Sequence, residues 1–433
     1  MEISSLYNKF LQCSSVTTDS RNCPKDSMFI ALKGDNFNGN AFASKALESG
    51  CLFAVVDEKE YFEANDERYI LVDSCLSALQ ELAKHHRRMW GKSVIGITGT
   101  NGKTTTKELM AAVLMRRYNL LFTQGNLNNH IGVPLTLLRL KPEHELAVIE
   151  MGASHPGDIK ELVDIAEPDC GLITNVGKAH LQGFGSFEGV MKTKGELYDF
   201  IRQNPKGFIF LHQDNPHLQQ MASGMKQITY GSEDNLFVQG NISANTTFLS
   251  FSWKGEMKDT RHQVNTQLIG AYNLPNALAA IAVGKYFGVE DSEICQALET
   301  YVPQNNRSQL QQTESNTLII DAYNANPTSM RVAIENFHRL ESTLPKMLIL
   351  GDMRELGVDG PAEHQEVVKL LQQCNFTDVI LVGELFSQTE NSYRCFPDAN
   401  KLMETLKEEK PQQRIILIKG SNSIKLSSIP PYL

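Results

Sequence analysis

The residues best placed to do chemistry begin at Thr98. In the run TGTNGKTT, two glycines, a lysine and several hydroxyl side chains follow an apolar strand, SVIGIT from Ser93. A helix with Leu109, Ala112 and Val113 as its apolar positions comes after. A strand that stops in a glycine-rich turn and runs into a helix aims main-chain N–H groups and the positive end of the helix dipole at one spot. That spot suits a polyphosphate. Lys103 can reach the outer phosphates and the Thr104 hydroxyl can ligand magnesium, within a cradle of Thr98, Gly99, Thr100, Asn101, Gly102 and Thr105. The usual pattern, GxxxxGK[ST], needs glycine at position 97, where this chain has Ile97. A strand-to-helix turn that binds nothing is the alternative reading.

A second set of candidates follows. In LAVIEMGASHPGDI, Glu150 ends an apolar strand at the edge where a parallel sheet binds ligands. A carboxylate there is costly unless a cation meets it, and magnesium shared with phosphates is such a cation. The alternative is a solvated strand-end residue. His180 comes soon after the strand CGLITNV, at a strand's carboxyl end in the same expected sheet, although a lone histidine is more often structural than a ligand. Lys194, in VMKTKGEL, reads by pattern as an exposed helix lysine. No NKxD string for reading guanine occurs, which disfavours a GTPase. A phosphate loop alone does not separate kinases, motor ATPases and ligases.

These groups need a scaffold. The 433 residues exceed one ordinary core and predict two to three domains. With 41% hydrophobic and 21% charged residues, the composition is that of a soluble globular protein. A net charge of -9 argues against a nucleic-acid binder, so an anionic ligand must meet locally placed cations. Eight cysteines without a CxxC pair indicate neither a zinc site nor a disulfide framework, and fit a reduced, cytoplasmic compartment. MEISSLYNKF lacks the features of a signal peptide, and no apolar run is long enough for a membrane helix.

From Gly91 onward, apolar runs alternate with helical periodicity, the pattern of a parallel sheet covered by helices. The expected strands are SVIGIT, LAVIEM (from Leu146), CGLITNV (from Cys170) and GFIFLH (from Gly207). A second series follows Tyr301: TLIIDAY (from Thr317), KMLILGDM (from Lys346), VILVGEL (from Val379) and RIILIKGS (from Arg414). Asn326 and Pro327 read as the N-cap and first residue of a helix whose apolar face is Met330, Ala333, Ile334 and Phe337. The first ninety or so residues, with strands SMFIALKG and CLFAVVDE, read as a smaller α/β domain joined by a helix from Leu76 to Met89.

With these residues in view, the chain resembles the Mur ligase family of peptidoglycan synthesis over essentially its whole length. The family's ATP loop has the form TGTNGKTTT, which accounts for Ile97. Further pointers are TTDSR and FIALKG near the N-terminus, GNLNNHIGVPLTLL from Gly125, VIEMGASHPGDI from Val148, DAYNANPTSM from Asp321, LGDMRELG from Leu350 and KGSNS from Lys419. The resemblance implies an α/β chain of three domains. Residues 1–89 would bind the UDP-sugar, 90–301 would form a central ATP-binding domain on a P-loop-type parallel sheet, and 302–433 a Rossmann-like domain that closes on ATP and binds the incoming dipeptide. The YNANP string resembles those members that join D-alanyl-D-alanine to UDP-N-acetylmuramoyl-tripeptide.

The resemblance also implies roles. Thr104 and Glu150 would bind one magnesium ion, and Glu150 and His180 a second, helped by Lys194 if it is carbamylated. Asn273 and Asn276, in GAYNLPNALAA, would hold adenine, and Arg307 the ATP phosphates. Asp321, Tyr323, Asn324 and Asn326 would face the nucleotide on closure. Ser20 and Arg21 would belong to the UDP-sugar site, and Asn126, Asn128 and Asn129 would line the cleft beside the peptide. Departures from the family pattern are Asn38, Gly39, Asn40 and Ala41 where Asp-Gly-His-Asp is common, His130 after GNLNN, Tyr272 for a histidine, and Asn422 for the arginine of KGSR. The expected activity is ATP-dependent amide ligation through an acyl phosphate, by a monomer acting on small molecules, without a nucleic-acid or membrane partner. Another amide ligase of the same fold, adding the third amino acid or resembling folylpolyglutamate synthase, is an alternative. So is a nucleotide-binding regulatory protein without ligase activity.

Overall fold

Apolar runs bounded by turn residues become the strands of three larger sheets, beside one two-stranded hairpin, in the computed structural model, which describes residues 2–179, 181–244, 247–255, 260–304 and 307–433. The N-terminal part contributes β1 (Val16–Thr17), β2 (Met28–Ile30), the hairpin β3 (Lys33–Gly34) and β4 (Phe37–Asn38), β5 (Phe53–Val56) and β6 (Tyr69–Leu71). Four of these make a parallel sheet in the order β1-β2-β5-β6. Both expected strands, in SMFIALKG and CLFAVVDE, lie in it.

The helix Cys75–Trp90 leads out of this sheet, capped by the Ser74 hydroxyl and ended at Gly91 with φ 68°. Leu79 and Ala83 are buried on it, as its spacing predicts, while Leu76 is half-buried. Near its end Arg87 is buried and donates to the carbonyls of Ala166 and Glu167 and to the Asp169 carboxylate, at 3.0, 2.9 and 3.0 Å. The helix is thereby fastened to the sheet that follows.

That sheet has nine strands: β7 (Ser93–Thr98), β8 (Leu120–Phe122), β9 (Leu146–Glu150), β10 (Cys170–Ile173), β11 (Phe208–His212), β12 (Gln227–Gly231), β13 (Val238–Ala244), β14 (Phe248–Lys254) and β15 (His262–Ile269). Their order is β15-β14-β13-β12-β11-β10-β7-β9-β8. From β8 to β13 neighbours run parallel, as the alternating pattern predicts. Beyond β13 the sheet differs from that expectation, because β13, β14 and β15 pair antiparallel. The few residues between Ala244 and Phe248 cannot carry the crossover that a parallel neighbour requires.

Its core is aliphatic. Ile95, Ile97, Val148 and Leu172 are fully buried against Leu109, Val113 and the helix Leu274–Tyr286. Each such side chain contributes about 1.5–3 kcal/mol by leaving water. The run of alanines and Gly284 in that helix lets it approach closely, since a Cβ on Gly284 would stand 2.4 Å from Val113 Cγ1.

The third sheet comprises β16 (Gln309–Gln312), β17 (Thr317–Asp321), β18 (Lys346–Gly351), β19 (Val379–Val382), β20 (Arg394–Phe396) and β21 (Ile415–Lys419), in the order β16-β17-β21-β18-β19-β20. It is parallel except for β16. The helix Pro327–Arg339 starts at the predicted N-cap, where Asn326 and Ser329 form a reciprocal capping box, and buries Met330, Ala333, Ile334 and Phe337. Among the described residues no helix is long and apolar enough to cross a membrane. All eight cysteines are free.

Candidate active site

The carboxyl ends of β7, β9, β10 and β11 open on one cleft of about 940 Å³, and Arg307, Asp321, Tyr323, Asn324, Glu355 and Lys419 of the C-terminal part are on its other wall. At the end of β7 the chain turns through Gly99 (φ 142°) and Gly102 (φ 78°) into the helix Lys103–Leu114. A side chain on Gly99 would strike Thr174 Oγ1 at 2.0 Å, and one on Gly102 would stand 2.7 Å from Asn276 Oδ1. The loop therefore finds its tight turn at 99, and Ile97 remains an ordinary strand residue packed in the core.

Thr174 and Asn175 clamp this loop from β10. Asn175 O accepts from Thr100 N (2.9 Å), and Asn175 Oδ1 accepts from Asn101 N (3.0 Å). Thr174 Oγ1 donates to Asn101 O at 2.6 Å. Lys103 Nζ rests on the carbonyls of Gly99 and Thr100 at 2.6 and 3.1 Å. Desolvation by the cleft walls pushes its pKa down to about 8, against the pull of Glu150, and the nearby Arg307 adds to the lowering. Two cations thus face one spot in an otherwise acidic protein, and an anion entering there would meet both.

Glu150, at the end of β9, is 1% exposed, so it is not the solvated strand-end residue of the alternative reading. Its Oε1 accepts from Thr104 Oγ1 (3.1 Å) and Asn128 Nδ2 (2.8 Å), while its main-chain N–H donates to Thr123 Oγ1. Among the described residues its buried Oε2 has no hydrogen-bond partner, and the ammonium of Lys107 lies 4.0 Å away. A buried carboxylate oxygen of this kind, beside the Thr104 hydroxyl, has the hard-oxygen chemistry that magnesium takes.

Lys194 is 2% exposed, correcting its reading as a surface lysine. The helix Phe187–Arg202 turns it inward, where its Nζ lies 3.5 Å from Ala153 O and 5.5 Å from the Phe184 ring centroid. Burial, and then the charge of Lys103, hold its pKa well below the usual lysine range. His180 lies outside the described residues.

Across the cleft, Arg307 stacks on Tyr323 at 3.8 Å. Asp321 pairs with Lys419 at 2.6 Å, and the same ammonium donates to Asn324 O at 3.2 Å. Asn276 Nδ2 donates to Asn273 Oδ1 (2.9 Å), and Thr106 donates to Asn276 Oδ1 (3.1 Å), which joins the two helices beneath the loop.

Of the residues singled out from the sequence, the cleft brings together Thr100, Asn101, Gly102, Lys103, Thr104, Thr105, Asn126, Asn128, Asn129, Glu150, Asn273, Asn276, Arg307, Asp321, Tyr323 and Asn324. Thr98, Gly99, Lys194 and Asn326 stand behind this lining, and the Thr98 hydroxyl is turned to Met151 O at 2.7 Å. Ser20 and Arg21 lie in the N-terminal part, away from the cleft, where the Arg21 guanidinium is paired to Asp19. The sequence reading missed Lys107, fully buried and bonded to Thr123 O at 2.6 Å, because TTTKEL resembles a surface helix turn. Lys419 and Asn175 were missed too. Their signal, a polar residue just past an apolar strand, was present in IILIKGS and CGLITNV.

Comparison with known proteins matches the Mur ligase middle domain to residues 97–284, the Mur ligase glutamate ligase domain to 306–422 and the Mur ligase family catalytic domain to 12–87. The chain is 36% identical to the UDP-N-acetylmuramoyl-tripeptide--D-alanyl-D-alanine ligase of Bacillus subtilis, over 96% of this chain and 92% of that protein. It is 33% identical to the Escherichia coli protein of the same name, over 96% and 92%. Among solved structures it resembles MurF from Acinetobacter baumannii, with TM-score 0.87, 27% identity and 99% and 97% of the two chains covered. It also resembles the MurF ligase of Thermotoga maritima in complex with ADP, with TM-score 0.84, 26% identity and coverage of 98% and 97%.

Proposed function

The chain belongs to the Mur ligase family, and on that premise we propose that it uses ATP to join D-alanyl-D-alanine to UDP-N-acetylmuramoyl-tripeptide, giving the pentapeptide precursor of peptidoglycan. The observation that carries the reading is the cleft in which Lys103 and Arg307 converge beside a buried, half-satisfied Glu150, with residues of two sheets forming its walls. The dipeptide as acceptor follows from relatives aligned along nearly the full chain.

Joining a carboxylate to an amine in water is uphill, so the carboxylate must first be activated. In this reading the terminal carboxylate of the tripeptide attacks the γ-phosphoryl group of ATP, giving an acyl phosphate and ADP. The amine of D-alanyl-D-alanine then attacks the acyl carbon and inorganic phosphate leaves. The first step brings two anions together, so positioning and charge neutralisation carry it. The main-chain N–H groups at the start of the helix Lys103–Leu114 would cradle the phosphates, and Lys103 would leave the Gly99 and Thr100 carbonyls to meet the outer ones.

Magnesium, when bound, would supply further neutralisation of phosphate charge. Thr104 and Glu150 would hold one ion, and Glu150, His180 and a carbamylated Lys194 a second. The depressed pKa of Lys194 supports that modification, because carbon dioxide adds to the neutral amine. Asn273 and Asn276 would meet adenine, and Arg307, Asp321, Tyr323 and Asn324 would close over the phosphates. Asn126, Asn128 and Asn129 would flank the peptide. Ser20 and Arg21 would meet the UDP-sugar, with residues 1–89, 90–301 and 302–433 as the three working units of a cytoplasmic monomer.

The test is the product mass formed from ATP, UDP-N-acetylmuramoyl-tripeptide and D-alanyl-D-alanine. A pentapeptide product with stoichiometric phosphate release is expected. Ligation of a single amino acid such as glutamate in place of the dipeptide would assign the chain to another ligase of this fold. Nucleotide binding without any amide product would assign it to regulation.

A further inference from the structure

Within the phosphate loop, the side chain of Asn101 is engaged by a residue of the C-terminal part. Its main chain is already held by β10, through Asn175 Oδ1 on its N–H and through Thr174 Oγ1 and Asn175 Nδ2 on its carbonyl. Its Oδ1 instead accepts from Asn326 Nδ2 at 2.7 Å, a bond between residues 225 positions apart. The other end of the Asn326 carboxamide is also committed. Its Oδ1 accepts from Ser329 N at 2.9 Å and caps the helix Pro327–Arg339.

One carboxamide therefore starts a helix of the third sheet with its oxygen and grips the phosphate loop with its nitrogen. Asn326 is 5% exposed and stands behind the cleft lining, whereas Asn101 is half-buried and part of that lining, so the contact is a half-buried join at the edge of the cleft. The surroundings suit close approach of the two parts. A Cβ on Gly177 would stand 3.0 Å from Thr328 Oγ1, and Lys178 pairs with Glu363 at 2.9 Å nearby.

We propose that Asn101 and Asn326 are a pair of positioning residues that latch the C-terminal domain onto the phosphate loop, so that the loop which orders the nucleotide also orders the domain that delivers the amine. The proposal rests on the ligase reading above. A hydrogen bond of this kind biases an equilibrium about five- to thirtyfold, because breaking it leaves the nearly buried Asn326 amide without its acceptor. The latch therefore stabilises the closed arrangement in which acyl phosphate and amine meet, and its loss falls on kcat more than on KM for ATP.

The experiment compares the native chain with N101A, N326S and the double variant. Serine at 326 remains a good helix N-cap but is too short to reach Asn101, so the helix start is kept while the latch is cut. N326A, which loses the cap as well, reports the cap's share as a further drop in melting temperature. The readouts are ADP-dependent compaction, by small-angle scattering or by fluorescence transfer between labelled domains, and steady-state kcat and KM. Each single variant is expected to lose about five- to thirtyfold in the ratio of compact to open chain at saturating ADP and a similar factor in kcat. The double variant is expected to match the worse single one.

Multiplication of the two single effects in the double variant would overturn the proposal, since it would mean that the residues act independently. Native-like compaction in N326S and N101A would overturn it as well, as would one shared profile for all chains with and without ADP. Compaction is read without turnover, so an inactive native chain would refute the ligase reading while leaving the latch open to measurement. If N326S does not fold, N101A, altered in a loop of the other domain, carries the same comparison.

Discussion

At the scale of single residues, the cleft shows how one lysine can be both ill-placed in the free protein and suited to its ligand. Lys103 leans on two carbonyls in a desolvating site that pushes its pKa to about 8, and a polyphosphate would restore the charge its surroundings disfavour. Lys103→Ala is expected to reduce amide formation about 10²- to 10³-fold, the loss typical of one preorganised cation or donor. Its melting temperature should stay within about 2 °C of native, because the ammonium is costly where it sits. Phosphate release and a thermal melt check both halves. Lys103, Thr104 and Glu150 were legible in the sequence because each stands at a strand end or in a contiguous loop. Lys107 and Lys194 were not, because whether a lysine on an amphipathic helix faces inward depends on what packs against that helix. Both are buried, at 0 and 2% exposure.

At the scale of elements, two features make measurable demands. Gly102 begins the P-loop helix at φ 78°, and Asn276, which a side chain there would meet, is itself held by Thr106. Gly102→Ala should cost about 1–2 kcal/mol of stability and weaken ADP binding, as seen by denaturant titration and calorimetry. In the third sheet, buried His364 accepts from Met353 N at Nε2 and donates from Nδ1 to Gly360 O. That arrangement is the neutral ring, and burial lowers its pKa below the ordinary 6.5. Between the lowered value and 6.5 the unfolded chain binds more protons than the folded one, so stability rises with pH there and is lost as pH falls below about 6.5. Denaturant midpoints at pH 7 and pH 5 should therefore differ less in His364→Gln than in the native chain. The parallel strands and the helix at Pro327 were legible from apolar runs and a capping pair. The antiparallel strands β13–β15 were not read, although Phe248–Lys254 alternates buried and half-buried residues in a way that period-2 counting detects.

At the scale of the whole molecule, the cleft exists only because two sheets far apart in the chain face each other across it. Asn101 meets Asn326, Lys178 meets Glu363, and Gln182 N reaches Glu355 O at 3.5 Å. Small-angle scattering with ADP and UDP-tripeptide is expected to match this closed arrangement, and the ligand-free chain to be more expanded. Identical profiles would mean that closure is not driven by ligand. The sequence by itself determined the local chemistry: a strand, a two-glycine turn and a lysine make a phosphate cradle wherever they occur, and YNANP caps a helix by its own side chains. Only the tertiary structure decided which charges are buried, that Glu150 keeps one oxygen without a donor among the described residues, and that a capping asparagine also grips a loop 225 residues away. The physical reason is range. Capping, turn geometry and strand formation are settled within a few residues, whereas desolvation and hydrogen bonding between domains depend on neighbours that the chain brings together only when it folds.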